Sequence, residues 1–150
     1  MSATYALREE AAEALVIHCS DPRFQEAFRR FLAEELQLAH YVPLVLPGSV
    51  GAIGIQALQP KYFKTLFQQL KLLTTVNRVP RVIVINHDDC RGYESLKGFF
   101  LARQLSLAEQ QQQDLVAAAG LIKEFLPQAH VDLYQCRLNG GKQLVFDKVL

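Results

Sequence analysis

Two runs of apolar residues constrain most strongly what this chain of 150 residues can fold into. They read Ala14-Leu15-Val16-Ile17 and Val82-Ile83-Val84-Ile85. Runs of this kind, without polar alternation, are typical of strands that are buried on both faces of a parallel sheet. Each run is soon followed by reactive side chains, with Cys19 after the first and His87 after the second. The sequence therefore predicts two buried strands that end in chemically active loops.

Helical segments separate the strand segments along the chain. From Phe24 to Leu38 the apolar residues recur about every 3.6 positions, which predicts an amphipathic helix. Pro60 predicts the start of another helix, which runs to about Val76. This alternation indicates one α/β domain over residues 1–150, with a mainly parallel sheet of strand order about 2-1-3-4. The turn sequence Asn139-Gly140-Gly141 predicts a C-terminal hairpin that adds an antiparallel edge strand.

Three further segments show no pattern of catalytic or metal-binding residues, and we expect each of them to have a purely structural role. Residues 5–13 are compatible with a helix. The glycines that follow the second strand, Gly48, Gly51 and Gly54, indicate a loop with a tight turn and close backbone packing. The glutamine run Gln110–Gln113 is expected on the solvated face of a helix.

The overall composition excludes several classes of partner. Half of the residues are hydrophobic and 21% are charged, which is typical of a globular protein. The 16 basic and 15 acidic residues nearly balance, so we expect no nucleic-acid partner. No apolar segment has the length of a membrane span, and the N-terminus lacks signal-peptide features, so we expect no membrane partner and a cytoplasmic location. An odd count of three cysteines fits reduced thiols or metal ligands better than a disulfide framework.

The loops after the first and third strands suit a metal site. If these strands are neighbours, their carboxyl ends bring Cys19 close to His87 and Cys90. Two thiolates and one imidazole are ligands that Zn²⁺ prefers, and zinc in proteins usually takes four ligands. The fourth position is left for water or for Asp21, and the sequence does not decide between them. The prediction is therefore a zinc site that is either open or closed.

An acid and a base follow the first cysteine within four residues. Asp21 could accept a hydrogen bond from a nucleophile on the metal and so direct it at an electrophile. Arg23 would keep Asp21 ionised, because a neighbouring guanidinium lowers the pKa of a carboxylate. If Asp21 instead bound zinc directly, the site would be closed and catalysis would stop.

Two short motifs resemble the signatures of the β-class carbonic anhydrases: Cys19-x-Asp21-x-Arg23 and His87-x-Asp89-Cys90. The resemblance implies that Cys19, His87 and Cys90 are zinc ligands and that Asp21 and Arg23 form a catalytic dyad. It implies reversible hydration of carbon dioxide to bicarbonate by a metal-bound hydroxide. It also implies a homodimer or a larger homo-oligomer, for which the helix Phe24–Leu38 and the Phe99-Phe100 pair are candidate contacts.

The chain also departs from the family pattern near the expected substrate pocket, which the resemblance lines with Gly48, Arg91 and Gly92. Pro22 stands where the family usually has serine, and Arg91 stands where it usually has glycine. Residues 45–49 replace a more polar loop. Three alternatives therefore remain open: a catalytically silent zinc protein, a hydrolase of carbonyl sulfide or carbon disulfide, and a module that binds small anions.

Overall fold

The computed structural model describes residues 1–100 and 104–149, including all their side chains except those of residues 99 and 100. Strands and helices alternate as the sequence predicts. They are β1 (Ala14–Cys19), α1 (Gln25–Arg30), β2 (Tyr41–Leu46), α2 (Gly51–Gly54), α3 (Pro60–Asn77), β3 (Arg81–His87), α4 (Arg91–Phe100), α5 (Leu107–Phe125), β4 (His130–Asn139) and β5 (Gln143–Lys148). A π-helical turn over Phe31–Glu35 continues α1.

The strands form one five-stranded sheet in the order β2-β1-β3-β4-β5. β1 runs parallel to both β2 and β3, and β3 runs parallel to β4. β5 pairs antiparallel with β4 at the edge of the sheet. The predicted α/β class, the strand order and the C-terminal antiparallel edge strand are confirmed.

The two apolar runs are buried because each strand packs on both sides. In β1, Leu15 and Ile17 belong to the core cluster that contains Leu115 of α5. The alternate residues Ala14 and Val16 belong to a second cluster with α1, built around Phe28. All six residues of β1 are buried, which is the environment that an uninterrupted apolar run favours.

The sequence offers two candidate contacts for a second copy of the chain, and the structure describes the side chains of the first but not of the second. The helix at Phe24–Leu38 uses its apolar residues internally, since Phe24, Phe28 and Leu32 are at most 3% exposed. They are therefore core residues of this chain. The side chains of Phe99 and Phe100 lie outside the described residues.

None of the helices within residues 1–100 and 104–149 is long and apolar enough to cross a membrane.

The expectation of a helix over residues 5–13 is wrong. No helix forms before β1 in the structure. Tyr5 and Leu7 are 88% and 82% exposed, so a helix here would bury no apolar face. An isolated helix of this length is marginal in water. The Glu13 carboxylate instead accepts hydrogen bonds from the backbone N–H groups of Ala39 and His40, at 3.1 and 2.9 Å.

The prediction of a solvated glutamine run is wrong for its first two residues. Gln110 and Gln111 are 0% and 3% exposed, whereas Gln112 and Gln113 are exposed. The reason is the inward stripe of α5, whose members are three and four residues apart: Gln111, Leu115, Ala118 and Ile122. The glycine segment also differs from expectation, because Gly51–Gly54 forms the short helix α2 rather than a loop.

A buried carboxylate joins the strands at the opposite end of the sheet from Cys19 and His87. Asp132 in β4 is 1% exposed and pairs with Arg81 Nε and Lys148 Nζ, each at 2.7 Å. Burial alone would raise the pKa of Asp132, but hydrogen bonds from Lys148 and Arg81 outweigh it and lower the pKa. The ionised form of Asp132 therefore stabilises the pairing of β3, β4 and β5.

We expect Asp132→Asn to lower the free energy of unfolding by about 1.5–3 kcal/mol at pH 7, because it removes hydrogen bonds between charged groups. Because folding lowers the pKa of Asp132, its ionised form contributes stability above pH 3.8, the usual carboxyl pKa. This contribution is lost as the pH falls below that value. The deficit of the variant should therefore shrink at pH 3. Urea unfolding at both pH values measures it. Asp147→Asn, which breaks an exposed pair with Arg137, should cost less than Asp132→Asn, because solvent screens an exposed pair. Equal losses in the two variants would contradict this account.

Candidate metal centre

Three buried side chains meet at the carboxyl edge of the sheet. Cys19 is the last residue of β1 and His87 is the last residue of β3, and these strands are parallel neighbours. Cys90 follows in the loop after β3. Their side chains are 2%, 0% and 6% exposed, and their ligand atoms all lie within 4.8 Å of one another. The sheet topology therefore brings together the three residues that the sequence singles out as metal ligands.

The chemistry of these three groups fits a zinc ion. The two sulfur atoms are 3.7 Å apart. His87 Nδ1 lies 2.7 Å from the backbone carbonyl of Asp88, which is an acceptor and so calls for a proton on Nδ1. Nε2 then keeps its lone pair, and it is buried without a hydrogen-bond partner in the described part of the chain. Two sulfurs and one unpartnered imidazole nitrogen form a donor set typical of zinc.

The two thiols are coupled electrostatically. Cys90 as a hydrogen-bond donor lowers the pKa of Cys19, and the same contact, together with burial, raises the pKa of Cys90. The backbone N–H of Gly48 also donates to Cys19 Sγ at 3.4 Å, which further favours the thiolate. Cys19 is therefore the more acidic thiol, and binding of a divalent metal ion must release the remaining proton of the pair.

Asp21 is held by Arg23 rather than grouped with the three candidate ligands. Arg23 Nε lies 3.0 and 3.2 Å from the two Asp21 oxygens, and a terminal nitrogen lies 2.7 Å from Oδ2. The backbone N–H of Arg23 donates to Oδ1 at 3.0 Å. Hydrogen bonds from the Arg23 side chain lower the pKa of Asp21 to about 2. Pro22 does not disturb this turn, because the N–H that closes it belongs to the next residue.

Two polar side chains that the sequence analysis missed form hydrogen bonds to the backbone of the two loops. Gln25 Nε2 donates to the backbone carbonyls of Cys19 and Asp21, at 2.9 and 2.8 Å. Gln111 Nε2 donates to the carbonyl of His87 at 2.9 Å. Glutamines on helices look like solvated residues in a sequence, and only the tertiary structure shows these contacts.

Aromatic packing fixes the imidazole of His87. The rings of Phe24 and His87 have centroids 3.9 Å apart. The backbone of Phe24 begins α1, and its ring is 3% exposed. The apolar period of the first helix predicts Phe24 as a core residue, but it gives no sign that this ring packs against a candidate ligand.

A cavity of about 320 Å³ opens beside the cluster and is lined partly by Cys19, Asp21, Arg91 and Gly92. Arg91 is exposed and makes no ion pair within the described residues. Gly92 packs against the turn at Gly48, where the backbone has a φ of 75°. A Cβ atom on Gly92 would lie 2.2 Å from the nitrogen of Gly48. This contact requires glycine, and it positions the N–H that reaches Cys19.

The structure can now be compared with known proteins. No protein-family model matches the sequence, and no curated protein matches it. Solved structures do match. The carbonic anhydrase of Streptococcus mutans has a TM-score of 0.60 at 13% identity, over 99% of this chain and 88% of that one. The β-carbonic anhydrase isoform I of Trichomonas vaginalis has a TM-score of 0.59 at 9% identity, over 98% and 88%.

The chain has the β-carbonic anhydrase fold. A β-carbonic anhydrase of Aspergillus fumigatus also matches, with a TM-score of 0.52 at 14% identity, over 94% of this chain and 77% of that one. Identities this low carry the fold and not the activity. Within this β-carbonic anhydrase fold, the five motif residues lie at the carboxyl edge of the sheet: Cys19, Asp21, Arg23, His87 and Cys90. The third cysteine, Cys136, is fully buried in a cluster of apolar residues.

We expect Gly92→Ala to push the turn at Gly48 away from Cys19, because the new methyl group would overlap backbone atoms. The cost should be about 1–3 kcal/mol of unfolding free energy. The variant should also bind zinc more weakly in a competition titration with a chromophoric chelator. Gly98→Ala in the same helix is the control, since its Cβ meets no atom within 4 Å. It should be neutral or up to about 1 kcal/mol stabilising. Equal behaviour of the two variants would show that the close contact does not matter.

Proposed function

We propose that this protein is a zinc enzyme that hydrates carbon dioxide reversibly to bicarbonate. The observation that carries the proposal is the convergence of Cys19, His87 and Cys90 at the carboxyl edge of a β-carbonic anhydrase fold. These three side chains would hold the metal ion. Asp21 lines the cavity beside Cys19, and Arg23 hydrogen-bonds to Asp21; the two would complete the set of groups that such chemistry needs.

Zinc supplies one function here when it is bound, which is to acidify a coordinated water so that a nucleophile is available near neutral pH. The chain supplies the rest. Asp21 accepts a hydrogen bond from the nucleophile at a carboxylate oxygen and thereby orients the attacking lone pair. Arg23 holds Asp21 ionised and fixes its direction, in agreement with the lowered pKa of Asp21. The dyad therefore orients the nucleophile without exchanging its own protons.

The pocket suits a small electrophile that becomes an anion. Gly48 donates its backbone N–H to Cys19, and Gly92, which packs against Gly48, lines the cavity. Arg91 is the cation at this cavity that has no carboxylate partner among the described residues, whereas Arg23 is engaged by two. Arg91 would attract bicarbonate, which is the product of hydration and the substrate of the reverse reaction.

The alternatives concern turnover and substrate rather than the fold. Arg91 and the apolar 45–49 segment change the surroundings of the pocket, and a zinc protein without turnover would tolerate both changes. Carbonyl sulfide and carbon disulfide are linear electrophiles of similar shape and would meet the same groups. Self-association and a cytoplasmic location stay predictions, since the structure is that of one chain.

Stopped-flow hydration of carbon dioxide by the zinc-loaded protein tests the proposal. We expect a rate well above that of Cys90→Ser, which removes one metal ligand. Asp21→Asn should retain zinc and lose about 10²–10³-fold in kcat, the scale of one oriented group at a reacting centre. Zinc content of each sample is measured by atomic emission.

A zinc-loaded protein with no rate above Cys90→Ser would refute the proposed activity. Turnover of carbonyl sulfide or carbon disulfide in that sample would then identify the substrate as another linear electrophile. Full activity of Asp21→Asn would refute the role given to the dyad.

A further inference from the structure

One arginine joins the two motif loops through two different carboxylates. Besides its contacts with Asp21, Arg23 donates from one terminal nitrogen to Asp89 Oδ2 at 2.7 Å. Its other terminal nitrogen donates to the backbone carbonyl of Asp89 at 2.9 Å, in addition to Asp21 Oδ2. All three guanidinium nitrogens are therefore engaged, and the loop after β1 is tied to the loop after β3.

The backbone of Asp89 has a conformation that allows this contact and that few residue types tolerate. Its φ is 53°, in the left-handed region, which aspartate and asparagine tolerate better than most residues. Its side chain is 62% exposed, so burial does not explain its position. Its carboxylate and its carbonyl both accept hydrogen bonds from Arg23. The turn at Asp89 thus presents two acceptors to one guanidinium.

The second carboxylate limits the freedom of Arg23. The side chain of Arg23 is 39% exposed, and a single ion pair at such a site is weak because solvent screens it. Pairing with two carboxylates from separate loops leaves the guanidinium one orientation in which all contacts are made. The side chain of Asp21 is 3% exposed and lines the same cavity as Cys19. The Arg23 guanidinium contacts both of its oxygens and so sets the direction of the carboxylate.

We infer that Asp89 is a positioning residue, which fixes Arg23 and through it keeps the Asp21 carboxylate directed at the arginine instead of at the metal ligands. The inference rests on the proposed function, because it concerns the same dyad. If Asp89 no longer fixes Arg23, Asp21 competes with water for the fourth position on the metal. Asp89 therefore keeps the site open.

The variant that tests this is Asp89→Asn, which removes the charge but keeps an oxygen acceptor and a side chain that tolerates the left-handed backbone. The matched control is Glu34→Gln, which removes the carboxylate from another exposed arginine pair, with Arg30 at 2.8 Å. Two readouts are compared with the wild type. One is kcat and KM for carbon dioxide hydration by the zinc-loaded protein, and the other is the visible absorption of the cobalt-loaded protein.

We expect Asp89→Asn to lower kcat about tenfold, the lower end of the usual effect of residues that orient groups around a metal. The cobalt spectrum should change as the carboxylate of Asp21 replaces water. Adding Asp21→Asn to Asp89→Asn should then return the spectrum towards that of the wild type. Glu34→Gln should leave kcat and the spectrum unchanged.

The outcomes separate this inference from the proposed function. A wild type that turns over while Asp89→Asn has the same kcat and spectrum overturns the positioning role alone. If the zinc-loaded wild type shows no hydration activity, the proposed function is refuted, yet a spectral change in cobalt-loaded Asp89→Asn that Asp21→Asn reverses still supports the role of Asp89. An unchanged spectrum overturns that role in either case. A wild-type chain that binds no cobalt overturns both.

Discussion

The parallel pairing of β1 with β3 is the interaction on which the candidate site depends. It sets His18 opposite Ile85, so that Cys19 and His87 leave the sheet at the same edge. In open α/β sheets, ligands bind beyond the carboxyl ends of the strands, and here the residues at those ends are a thiol and an imidazole. The side chains on the two faces of β1 pack into two different core clusters, and this packing specifies the register. A shift of one residue would turn the apolar side chains of a strand to the opposite side of the sheet.

The polar groups around this edge have complementary tasks. Behind the cluster, the side-chain amides of Gln25 and Gln111 donate to backbone carbonyl groups of the two loops, which helps to keep the buried polar groups of this region hydrogen-bonded. In front of it, Arg23 forms ion pairs with both Asp21 and Asp89. Within the described residues, Arg91 at the cavity has no ion-pair partner, and the surroundings of Cys19 favour its thiolate. This arrangement supports the proposal of a metal ion inside the site and an anion at its opening.

Much of the fold and the candidate site could be predicted from the sequence because the decisive signals are local. Apolar runs predict strands, and the positions of Cys19 and His87 directly after them predict where these side chains lie. The supporting contacts could not be predicted, because Gln25 and Gln111 are polar residues on helices and only the packing of those helices decides what they touch. The helix expected over residues 5–13 is absent for a related reason. A segment whose sequence is compatible with a helix does not form one when it has no apolar surface to pack against. Pro22, a departure from the family pattern, leaves this turn intact because the N–H that the turn uses is that of Arg23.

The most direct test of the account is X-ray absorption at the zinc edge of the loaded protein. Coordination by Cys19, Cys90 and His87 predicts two sulfur neighbours at about 2.3 Å and two nitrogen or oxygen neighbours at about 2.0–2.1 Å, one of them with the outer-shell scattering of an imidazole. The Cys90→Ser variant should lose one sulfur from this shell. A zinc shell without sulfur, or one that is unchanged in Cys90→Ser, would contradict the assignment of the metal to this edge of the sheet.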